Sequence, residues 1–284
     1  MEDCVHTFRL FVIVNFSAYL YSADVFTALL TFYVQTWDEY HTHTLTLGLV
    51  SGPVEGILTL CIVYCITAIK GGGSYWQQPM LPALGVPHIS ALPKAAYTMD
   101  FGDFYMLYGG LVLAFNTLES VRNVLRARRE RGDAPNDALL GLAPFAGAWV
   151  LITAYLGLHP EILHQHLVPF VFLVGLMNAY SVGQMITAHL TKSEFPYQNI
   201  IALPLAFGIV DTLGPILQEH IGLGWPSALG HGVYQVAFMF SCLGLAIGIY
   251  GSFVVDVIVS ICDYLDIWCL TIKHPYTEET KKAN

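Results

Sequence analysis

Residues 232–262 read GVYQVAFMFSCLGLAIGIYGSFVVDVIVSIC, with a single charged residue, Asp256, in the whole run. A stretch that long and that apolar is the signature of a membrane-spanning helix. It exceeds one bilayer crossing, so it must tilt, kink or extend into water. Within it, Gly244, Gly248 and Gly251 predict a face that permits close helix packing.

Similar runs recur along the chain, at about 8–36, 47–69, 104–125, 139–158, 166–190 and 199–217. With 232–262 they predict an all-α, polytopic helical membrane protein of about seven transmembrane helices. The composition agrees. Of the 284 residues, 55% are hydrophobic and 12% charged, with a mean hydropathy of +0.56, whereas a soluble domain carries about 25% charged residues. No repeat or low-complexity tract divides the sequence, so residues 1–284 are read as one membrane domain. The net charge of −9 and the lack of a basic stripe with interleaved aromatics argue against nucleic acid. The start, Met-Glu-Asp-Cys-Val-His, lacks the basic region of a secretory signal. Of six cysteines, Cys61, Cys65 and Cys242 fall inside apolar runs and read as core residues.

Basic residues orient the spans. Arg122, Arg126, Arg128, Arg129, Arg131, Lys192, Lys273, Lys281 and Lys282 fall on one side, nine of the twelve. The positive-inside rule makes that side cytoplasmic. Residues 38–46 then face the cytoplasm and the amino terminus the lumen, an arrangement that an odd number of further spans in front would reverse. Lys70–Asp103 is a long connector with three successive glycines and four prolines, and Arg126–Ala138 is a charged loop.

Between the first two spans, Asp38, Glu39, His41, His43 and Glu55 crowd together. Ionisable groups next to a bilayer usually have a function or a partner. For Glu55 two readings stand. Pro53 suits the first position of a helix, which puts Glu55 in the first turn, where an acid complements the dipole. If the helix starts near Leu47 instead, Glu55 sits roughly 12 Å along it and needs a cation or a cationic ligand. Asp38, Glu39, His41 and His43 are metal-ligand types at an unconvincing spacing. Glu119 and Arg122, three apart, are expected to pair. Asn116, Asn178, Gln184 and His189 read as interhelical hydrogen-bonding groups. Asp211 and Asp256 are lone acids for which structural roles are favoured.

Four segments in order resemble a known family: residues 32–45 (FYVQTWDEYHTHTL), 51–58 (SGPVEGIL), 185–192 (MITAHLTK) and 265–275 (LDIWCLTIKHP). Together they are similar to the eukaryotic choline/ethanolamine phosphotransferases of the CDP-alcohol phosphatidyltransferase family. The resemblance runs from about Phe26 onward and matches that family's fourth to tenth spans. It implies an enzyme of the endoplasmic reticulum or Golgi that moves phosphocholine or phosphoethanolamine from the CDP-alcohol to diacylglycerol, with Mg2+ or Mn2+. It implies substrate-binding roles for Trp37, Glu39, Tyr40, His41 and Glu55, with a carboxylate facing the cationic alcohol and an aromatic adding a cation–π contact.

The family's metal chemistry rests on Asp-x2-Asp-Gly-x2-Ala-Arg-x8-Gly-x3-Asp-x3-Asp. This sequence contains only Asp100/Asp103 and Asp263/Asp266 as Asp-x2-Asp pairs, and neither continues with Gly and Ala-Arg. No catalytic or metal-binding residue is therefore assigned. The expectation is a truncated, inactive carboxy-terminal part of such an enzyme. The alternative is a non-catalytic relative that binds lipid or associates with a full-length enzyme as a homo- or hetero-oligomer. A transporter would need inverted repeats that the sequence does not show.

Overall fold

The structure, a computed structural model, describes residues 16–44, 53–87, 94–230 and 232–274; for 16–28, 53–56 and a few single positions it describes the backbone path. About four fifths of the described residues are helical, and no strand occurs among them. Among the described residues seven helices run sixteen residues or longer: α1 (Phe16–Thr42), α2 (Pro53–Ile69), α3 (Phe101–Arg131), α4 (Ala143–Leu158), α5 (Leu167–Thr191), α6 (Ala202–Ile221) and α7 (Val233–Leu265). They follow the seven expected spans in order. Among the described residues three segments are long and apolar enough to cross a membrane: Asn136–Leu158, Leu167–Thr191 and Val233–Leu265. The chain is a polytopic helical membrane protein. Of the other four helices, α1 and α2 begin among residues whose side chains lie outside the description, and α3 and α6 carry charged residues in their later turns.

The chain divides into two compact units, Met1–Ala143 and Pro144–Asn284. In the first, α1 packs along α3, with Tyr33, Val34 and Trp37 of α1 and Ser120 and Val124 of α3 buried. Helix α3 opens on a capping box. Asp100 accepts from the Asp103 amide at 2.8 Å, and Asp103 Oδ2 accepts from the Asp100 amide at 3.1 Å. Each carboxylate satisfies a donor that a helix start leaves open. The same helix ends at Gly132, whose φ of 81° only glycine adopts without strain. In the connector, Trp76 donates to Thr67 Oγ1 at 2.7 Å, and Tyr75 stacks on Phe101 with centroids 5.0 Å apart. The triple glycine therefore leads into an ordered aromatic cluster.

In the second unit α5 is the most enclosed helix, burying Phe170, Leu173, Val174, Met177, Tyr180, Val182 and Met185. It meets α7 where Gly183 faces Phe253; a Cβ on Gly183 would stand 2.8 Å from that ring. Gly244, Gly248 and Gly251 have open space at their Cβ positions instead. The close approaches expected of the α7 glycine stripe occur at Gly183, and at Gly208 against Phe238 and Tyr155. Asn199, which the sequence reading passed over, donates from Nδ2 to Met177 O at 2.8 Å and to Ser181 Oγ at 2.7 Å. His159 sits 5% exposed after α4, its Nδ1 2.9 Å from Tyr155 O and its Nε2 3.1 Å from Thr212 Oγ1.

Asp211 is not a lone acid. Buried in α6, it accepts from Ser227 Oγ at 2.5 Å, the Ala228 amide at 2.7 Å and the Leu229 amide at 3.3 Å. A carboxylate with that many donors is a paired one, and here it folds the loop between α6 and α7 back onto α6.

Candidate functional site

The last two turns of α1 carry most of the residues expected in a site. Trp37 comes first because it fixes the others. Its ring is 0% exposed, and its Nε1 donates to Ala138 O at 3.0 Å. One turn earlier, Tyr33 donates its hydroxyl to Gly141 O at 2.8 Å. Residues i and i+4 share a helix face, so these two bonds pin the segment after α3 against one side of α1. Trp37 is thus enclosed by protein, and its indole acts on the site by holding it.

Asp38 is 1% exposed. Its carbonyl accepts the Thr42 hydroxyl at 2.8 Å, and the His43 amide bonds Glu39 O at 2.8 Å as the helix ends. His43 leaves with φ 56°, in the left-handed region. His41 lies edge-on to Trp37 at 5.6 Å and to Tyr40 at 5.1 Å. Glu39, Tyr40 and His41 are half-buried, which leaves them a route to solvent.

The pKa of His41 is held down to about 4, first by burial and then by the guanidinium groups of Arg128 and Arg131 and by His43. At neutral pH the imidazole is uncharged. The end of α1 therefore presents one acid, Glu39, with a phenol and a neutral imidazole beside the arginines that end α3, while Asp38 is buried. Because the folded pKa lies below the ordinary value of 6.5, the unfolded chain binds the extra proton between the two values. Stability from this group is complete above about pH 6.5 and is lost as pH falls towards 4. Melting temperature measured in detergent from pH 7.5 to 4.5 is expected to fall, and His41→Gln is expected to flatten that part of the curve; an unchanged slope would show that other groups set it.

Glu55 lies in the first turn of α2, which begins at Pro53, while its side chain lies outside the described residues. The structure therefore groups Trp37, Glu39, Tyr40 and His41 at one helix end and says nothing of the reach of Glu55. The expected Glu119–Arg122 ion pair does not form within 4.0 Å. Arg128 pairs instead with Asp133, at 3.4 Å.

A divalent metal needs several oxygen or nitrogen ligands around one point. Among the described residues no three His, Cys, Asp or Glu side chains come together as an ion needs. Asp100 and Asp103 are engaged in the capping box. Asp266 closes α7 with φ 53° and bonds Lys273 and His274. The described residues do not fit a Mg2+ or Mn2+ site.

Comparison with curated proteins supplies the context of this helix end. The chain is 34% identical over 259 residues to an uncharacterized CDP-alcohol phosphatidyltransferase class-I family protein of Schizosaccharomyces pombe, covering 90% of this chain and 62% of that one. The chain is thus similar to members of the CDP-alcohol phosphatidyltransferase family. It is also 30% identical over 258 residues to choline/ethanolaminephosphotransferase 1 of Saccharomyces cerevisiae (87% of this chain, 61% of that one). With cholinephosphotransferase 1 of the same yeast it shares 30% identity over 262 residues (88% and 62%). The chain thus spans about three fifths of the length of these relatives. No family model matches it.

Proposed function

We propose that this chain forms one wall of a CDP-alcohol phosphotransferase site in an intracellular membrane, that of the endoplasmic reticulum or Golgi. The substrates of that site would be CDP-choline or CDP-ethanolamine and diacylglycerol. The observation that carries the reading is sustained similarity to choline/ethanolaminephosphotransferases over most of the chain, through the helix end that groups Glu39, Tyr40 and His41.

In this reading the half-buried Glu39 faces the cationic head of the alcohol. Tyr40 offers a ring face to the same cation, and Trp37 keeps both in place. Glu55, in the first turn of the next helix, joins them as a second acid. Mg2+ or Mn2+ would polarise the diphosphate in such a reaction, held by carboxylates other than those described here.

Two experiments test this. This chain alone, reconstituted with diacylglycerol, CDP-choline and either metal, is expected to form no product; robust metal-dependent transfer would overturn the one-wall reading. The chain joined to the part of the yeast relative that it does not span is expected to transfer. There, Glu39→Gln should lower kcat/KM for CDP-choline roughly tenfold by removing a charge-assisted contact. An unchanged kcat/KM removes Glu39 from the site.

The second reading, a non-catalytic relative that binds lipid or associates with an intact enzyme, is favoured by the prior engagement of Asp100, Asp103 and Asp266. Absence of transfer by the joined protein, together with co-purification of this chain with a full-length relative, would select it.

A further inference from the structure

Helix α3 carries a stripe whose chemistry changes along its length. Leu111, Phe115, Leu118, Arg122, Arg126 and Arg129 follow one another at spacings of four, three, four, four and three residues. At 100° per residue they keep to a sector of about 80° on one face. All six are exposed. The first three leave apolar surface open, at 63%, 63% and 56% exposure. The last three are guanidinium groups with no acid within 4.0 Å among the described residues. The nearby acids do not neutralise them: Asp133 is paired to Arg128, and Glu119 and Glu130 form no ion pair.

The step from Leu118 to Arg122 is about 6 Å along the axis, and the arginines then climb about 10 Å more. That is the depth profile of half a lipid, with acyl chain against the leucines and phenylalanine and phosphate at the height of the arginines. Arginine stems can lie along apolar surface while their heads reach the phosphate layer, and the planar fork matches phosphate oxygens. We propose that this face of α3 binds an anionic phospholipid of the bilayer, with Arg122, Arg126 and Arg129 holding its headgroup. The assignment stands apart from the phosphotransferase reading and does not depend on it.

The test uses the full chain in phosphatidylcholine vesicles carrying spin-labelled phosphatidylserine or spin-labelled phosphatidylcholine. The immobilised fraction of each label gives the relative association constant. The native chain is expected to prefer phosphatidylserine roughly fivefold, from the attraction that one to two well-placed basic residues supply at a membrane surface. The triple variant R122Q/R126Q/R129Q should fall below about twofold, and R122K/R126K/R129K should keep most of the preference. These side chains are exposed, so the fold should tolerate the change. If the triple variant aggregates, R126Q alone should still halve the preference.

No preference in the native chain, or an equal one in the glutamine variants, overturns the proposal. So does loss of the native preference in a few millimolar inorganic phosphate but not in sodium chloride of equal ionic strength, which would make free phosphate the ligand.

Discussion

Trp37→Ala is expected to destabilise the Met1–Ala143 unit by about 3–5 kcal/mol, the usual cost of deleting a large enclosed aromatic. The ring is wholly buried and its N–H bonds Ala138 O, so the substitution leaves a cavity and an unmatched carbonyl together. Trp37→Phe separates the two contributions. It keeps most of the buried ring and loses the bond, and should cost about 1 kcal/mol from that bond plus a smaller cavity. Unfolding in detergent, followed by cysteine accessibility or thermal melting, gives the order native, phenylalanine, alanine. If the two variants behave alike, the ring contributes little and the packing of α1 on the 135–141 segment is not as described. In the joined enzyme the alanine variant should also lose activity, because Glu39, Tyr40 and His41 follow Trp37 on the same turns.

Asp211→Ala should have a comparable effect on the second unit. The carboxylate accepts from one hydroxyl and two backbone amides. Its removal strands buried donors at roughly 1–3 kcal/mol each. Ser227 can find another acceptor, since its Oγ also lies 3.4 Å from Gly230 O. The amides of Ala228 and Leu229 bond no other acceptor among the described residues. Hydrogen exchange over 226–230 is therefore expected to speed up at least thirtyfold, about 2 kcal/mol of local opening at the gas-constant scale of 1.4 kcal/mol per decade. Asp211→Asn keeps one acceptor oxygen and should fall between. Unchanged exchange in the alanine variant would mean the loop is held by something else.

The helices were legible because a span needs about twenty apolar residues and leaves that mark whatever it packs against. Hence α5 and α7 come within a few residues of expectation. What was not legible depends on partners distant in sequence. Asp211 read as solitary because its donors lie sixteen to eighteen residues on, across a turn. Trp37 read, by resemblance, as an aromatic facing a ligand, yet its indole meets a backbone carbonyl 101 residues away. The glycines of α7 offered small residues at a packing interval, but a packing interval does not specify a partner, and the partner of α5 is Phe253 against Gly183. At the helix end, residue types were readable and their exposure was not. Only coordinates separate the enclosed Trp37 from the half-open Glu39, Tyr40 and His41.

The two bonds from Tyr33 and Trp37 have a mechanical consequence. The residues between α3 and α4 are tied at Ala138 and Gly141 to a helix more than a hundred positions earlier. They act as a strap rather than a tether. A pull or twist arriving at Gly141 is delivered through two side chains to the turns bearing Glu39 and His41, bypassing the cap at Gly132. The chain could be nicked at Asp133 and the strap would still grip its helix.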